Sequence, residues 1–217
     1  MIGKDVKLVE YSQKVDLMNG LTHAVGAVLA VIGAAMLVSD AEGTRYMMSA
    51  IVYGITLVAV YTVSAVYHLL PKGEKKRRAR IADHSTVPFL IAGTATPCAL
   101  ISLYNLKPLL GVTVFVLGWL CTLFGLISKL FFFEKLKAVT MAVYIASGFI
   151  MLCSVIPVAD RINMGAFREL IYGCLFYTAG AVMCGMGRKY PSLHIIFHLF
   201  VILGSAFHFY VIYRYII

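Results

Sequence analysis

The stretch YPSLHIIFHLFVILGSAFHFYVIY, residues 190–213, decides the fold. It runs for 24 residues without an Asp, Glu, Lys or Arg. A helix needs about 20 apolar residues to cross a hydrocarbon core about 30 Å thick, so this stretch reads as a transmembrane helix. It also holds three histidines, His194, His198 and His208. An ionisable group inside a membrane span is expensive, which makes an intramembrane site the working hypothesis.

Six further windows upstream lack every charged residue: 17–39, 46–71, 84–106, 108–128, 138–159 and 170–187. Together they predict one all-α integral membrane domain over residues 1–217, a bundle of seven transmembrane helices. A β-barrel would need strands of about 10 residues with alternating polarity, and these windows are too long and too uniform. The composition agrees: 61% of residues are hydrophobic, 13% are charged, and the net charge is +9. Nothing so apolar stays solvated as a disordered chain. A soluble basic domain that grips nucleic acid is excluded too, because too few charged residues remain to cover a surface.

The basic residues give orientation. Numbering the connecting segments from the N-terminus, the odd ones carry 14 Lys and Arg and the even ones carry 5. The positive-inside rule therefore predicts a cytoplasmic N-terminus, and seven crossings leave the C-terminus outside. The densest basic run, KGEKKRRAR at residues 72–80, reads as a topology-setting loop on the inner leaflet; anionic lipid head groups are its other reading. Pro71, Pro108 and Pro191 sit at window edges, where they close or open helices. Pro88, Pro97 and Pro157 fall inside windows and predict kinks. Small residues such as Gly26, Ala30 and Gly33, or Gly180, Cys184 and Gly187, predict close helix contacts. All five cysteines lie inside the windows with no C-x-x-C pair, so they read as packing residues.

The six histidines carry the chemistry. His68 stands three residues before the cytoplasmic end of the second window, and His194 is the fifth residue of the seventh. His198 is one turn deeper and about 40° round the same helix. Two imidazoles at i and i+4 with a third from another helix make an open three-histidine site, with water in the fourth position. His68 matches the other two in depth, and nitrogen ligands in this arrangement suit zinc. Asp83 lies at the mouth of the third window, placed to take a proton from water or to orient an imidazole. Ser64, one turn from His68, offers a hydroxyl to the same site. His23, His84 and His208 fit a role in holding helices together as well as a functional one.

These residues resemble a known family, the progestin and adipoQ receptor superfamily and, within it, the bacterial hemolysin III branch. The likeness covers nearly the whole chain. It rests on NGLTH at 19–23, SAVYHLL at 64–70, ADHS at 82–85 running on to AGTATP at 92–97, Gly118-Trp119, and HIIFHLFVILGSAFH at 194–208. The resemblance implies seven helices with the N-terminus inside. It also implies zinc on His68, His194 and His198, Asp83 in contact with the zinc-held water, and Ser64 in the same site. It points to a metal-dependent hydrolase of a lipid-like amide or ester near the cytoplasmic face, with membrane lipid as substrate. Two further readings stand beside it: a structural zinc in a non-enzymatic regulator of membrane state, and a proton or ion pathway through His208, His198 and His23. A haemolytic pore has least support, because no feature of the sequence indicates one.

Overall fold

The computed structural model describes residues 6–154, 161, 163–187 and 189–217. Among these the chain forms seven long helices: α1 Gln13–Asp40, α2 Thr44–Leu69, α3 Glu74–Leu106, α4 Pro108–Phe131, α5 Lys137–Cys153, α6 Met164–Met186 and α7 Ser192–Ile216. Six of them are long and apolar enough to cross a membrane. The exception is α5, apolar but 17 residues long. Residues 155–159 of its window, including Pro157, lie outside the described residues, as do Lys4 and Arg188 among the counted charges. The molecule is an all-α membrane protein.

Helix edges depart from the window edges wherever a charged residue is itself helical. The basic run is no loop: α3 starts at Glu74, and Arg77 and Arg78 pair with that residue one turn back, at 2.7 and 3.1 Å. Asp83 is consequently in the third turn of α3 and not at its mouth. Likewise α6 begins at Met164, where the Asn163 side chain accepts from the Gly165 and Ala166 amides at 2.8 and 3.2 Å, a standard N-cap. Arg168 and Glu169, which bounded the window, are helical and paired at 2.9 Å.

The helices are inside-out amphipaths. Along α1 the buried residues are Asn19, Gly20, His23, Gly26, Ala30, Gly33 and Leu37, while Leu17, Leu21, Val25 and Val28 face outward. Apolar side chains toward lipid and small or polar ones toward the bundle are what a hydrocarbon solvent selects. The small residues do bring helices together: a Cβ on Gly26 would stand 2.8 Å from the Tyr61 ring, and one on Gly33 2.8 Å from Phe209. Pro97, which has no N–H to donate, is followed at once by a π-helical stretch, Cys98–Leu103, so the predicted disturbance in α3 is a widened turn. The helices framing the site are α1, α2 and α3, packed in sequence, with α7 laid against α1 and α6.

Candidate metal centre

His68 is in the last turn of α2, and α7 opens two residues before His194, so three imidazoles meet at one end of the bundle. The ring centroids of His68 are 5.4 Å from His194 and 4.9 Å from His198, and the latter two are 4.8 Å apart. One nitrogen from each lies within 4.8 Å of the others, and all three residues are buried. The structure thus brings together the three residues that spacing and depth had paired.

Hydrogen bonds decide which nitrogens are free. The Nδ1 of His198 is 3.1 Å from the Asn19 carbonyl, which can only accept, so Nδ1 carries the proton and Nε2 keeps its lone pair. The Nδ1 of His68 is 3.1 Å from Asp16 Oδ1, and its Nε2 is buried without a partner. Nδ1 of His194 is orphaned in the same way. Buried polar nitrogens without partners cost about 1–3 kcal/mol each unless something satisfies them. Three buried imidazoles gathered in one place could hold a metal ion.

Asp83 and Ser64 flank this cluster. Asp83 Oδ2 lies 2.9 Å from His84 Nδ1, and the Ser64 hydroxyl sits beside the same carboxylate. Asp83 is close enough to His23, His68 and His194 to interact with each electrostatically. His23 stacks on His198, with centroids 3.7 Å apart and planes at 17°. His84 packs against Phe133. His208 stands apart: its Nε2 reaches the Leu170 carbonyl at 3.2 Å and the Cys174 sulfur at 3.8 Å, which joins α7 to α6.

Four residues beside the cluster had no site role in the sequence reading, where Asn19 entered only as part of the NGLTH motif. Tyr11, just before α1, stacks on His194 at 5.2 Å and is itself buried. Burial, reinforced by Tyr67, pushes its phenol well above the ordinary value, so it covers the cluster as a neutral ring. Asn19 is fully buried with its amide unpartnered. Asp16 and Lys76 are described below. The available signal was a polar stripe, Asp16, Asn19 and His23, at helical spacing on an otherwise apolar α1.

With this geometry in view, a family profile described as Haemolysin-III related matches residues 11–209, which contain every residue named in the cluster. The chain belongs to that family. It is 31% identical over 207 residues to Hemolysin-3 of Bacillus cereus, covering 94% of this chain and 93% of the relative. It is 30% identical over 199 residues to the Hemolysin-3 homolog of Bacillus subtilis (strain 168), covering 90% and 92%. It is also 30% identical over 205 residues to the human Monocyte to macrophage differentiation factor, covering 91% and 83%. No solved structure matches the chain. Membership of the haemolysin-III related family, together with six apolar helices, makes this a multi-pass protein of the cell membrane.

Proposed function

We propose that this haemolysin-III related chain is a zinc-dependent hydrolase of a lipid-like amide or ester, with its site near the cytoplasmic face. The observation that carries the proposal is the meeting of three buried imidazoles with a carboxylate and a hydroxyl at one end of an apolar bundle. His68, His194 and His198 would hold the ion. A zinc ion bound there would polarise a substrate carbonyl and lower the pKa of water to about 7. Asp83 would take a proton from the attacking water and return it to the leaving nitrogen or oxygen. Ser64 would steady that carboxylate or the substrate carbonyl. Tyr11 packs on His194 and Tyr67 on His68, which would limit the access of bulk water to the cluster.

The same proposal includes the topology. The 14 basic residues on odd segments against 5 on even ones support a cytoplasmic N-terminus and seven crossings. The α5 helix, 17 residues at about 1.5 Å each, is about 25 Å long against a hydrocarbon core of about 30 Å. A pore is disfavoured by an interior filled with fully buried side chains, among them Leu37, Tyr53, Tyr67 and Ile212.

The test is elemental analysis of the purified protein, paired with turnover of a panel of lipid amides and esters in reconstituted vesicles. Near-stoichiometric zinc, with turnover that disappears in His68→Ala, is the expected result. Zinc present with no substrate converted would replace the hydrolase by a structural centre. A His198→Ala protein with full metal occupancy would refute the ligand assignment.

A further inference from the structure

Lys76 belongs by sequence to the basic run, yet its ammonium is not a surface charge. The side chain is 3% exposed, and Nζ donates to Asp16 Oδ2 at 2.8 Å, to the His68 carbonyl at 3.1 Å and to the Leu70 carbonyl at 3.1 Å. All three ammonium protons are thereby used. Two go to carbonyls at the C-terminal end of α2, which lack partners within the helix and favour a cation. The third goes to a carboxylate whose other oxygen meets the His68 ring, itself fully enclosed, at 3.1 Å. One chain of contacts therefore runs from α3 through α1 to the imidazole at the end of α2.

The chemistry of that chain is directional. A carboxylate with a buried ammonium on one oxygen is an acceptor only, so the proton between Asp16 and His68 belongs to Nδ1. The Nε2 lone pair then points away from Asp16, and Nε2 is the atom left buried without a partner. Without the carboxylate, a neutral imidazole is free to carry its proton on Nε2, which would put a hydrogen where an ion needs a lone pair. We propose that Asp16 is the positioning residue of the metal centre, fixing the ring and tautomer of His68, and that Lys76 anchors Asp16 in that task. Neither residue would touch the ion. The inference rests on the zinc-centre reading above.

The experiment measures Zn²⁺ affinity of the purified full chain in detergent by competition with a chromophoric chelator. Apo-protein thermal stability and the Co²⁺ absorption spectrum are recorded beside it. Asp16→Asn is expected to weaken zinc binding by about 10–100-fold and to alter the Co²⁺ bands, while Asp16→Glu stays close to wild type, within about threefold. Lys76→Met, which keeps the stem and removes the charge, is expected to weaken binding by about threefold to tenfold. Arg78→Gln, on the solvent side of the same run, is expected to leave affinity unchanged. Unchanged affinity and spectrum in Asp16→Asn would overturn the inference alone, as would lowered apo stability with unchanged affinity. If Asp16→Asn fails to fold, Lys76→Met decides, and wild-type affinity there overturns the proposal. A wild-type protein that takes up no metal would overturn the zinc centre and this inference with it.

Discussion

Changing Asp83 to Asn keeps the shape of the side chain and removes its capacity to accept a proton. If Asp83 is the base, turnover should fall by about 10²–10⁴-fold while zinc content stays near wild type, read by vesicle assay and elemental analysis of one preparation. If Asp83 only supports the ligands, metal content should fall with activity. His208 makes the opposite case. Its contacts are the Leu170 carbonyl, the Cys174 sulfur and the Tyr177 ring, all remote from the three imidazoles. His208→Ala should leave zinc affinity unchanged and cost about 1–3 kcal/mol of stability through the lost hydrogen bond and packing, measured by thermal unfolding in detergent. A loss of zinc in His208→Ala would contradict this division of the histidines.

Between helices, one tight contact near the site is that of α1 with α2 at Gly26. Tyr61 fills the space a side chain would need there, and its edge packs against His23, which stacks on His198. Gly26→Val should therefore destabilise the bundle by about 1–3 kcal/mol, visible as a lower unfolding temperature. It should also weaken zinc binding, whereas Gly148→Val, at a glycine with open space around it, should do neither. Much of this level could be read from sequence: the small residues and the His194–His198 spacing located real contacts, and Pro97 adjoins the π-helical stretch, although the α-helix runs unbroken through Pro88. Failures arose where charge was taken as a marker of solvent. Lys76 and Asp16 look in sequence like any charges beyond a membrane window, because a charge inside the fold paired with a partner from another helix leaves no local trace. For the same reason the starts of α3 and α6 were placed too late. The first turns of α3 carry Glu74 paired with Arg77 and Arg78, and α6 opens on the Asn163 cap with Arg168 and Glu169 paired within the helix, so charged residues there are helical.

For the whole molecule, a bound ion would clamp α2 to α7, and through α1's hydrogen bonds to both ligand helices it would tie three helices at one end. Chelation should lower the unfolding temperature, and readdition of zinc should restore it. At a free ion concentration a thousand times Kd the stabilisation is about 4 kcal/mol. Chelation that left the transition unmoved would mean the folded protein holds no ion there. Membrane-impermeant labelling of single cysteines placed near Lys7 and near Arg214 should mark opposite faces; labelling from one side would remove the seven-crossing topology. The placement of the ligands also bears on how the protein is made. His68 emerges early in synthesis, whereas His194 and His198 belong to the last helix. A nascent chain held anywhere between the end of α2 and Pro191 would contain Asp16, Asn19, His23 and His68 with no second ligand to meet. A metal held by these three imidazoles would therefore be loaded only after α7 has entered the bilayer, and metal retention would then report whether α7 has been inserted.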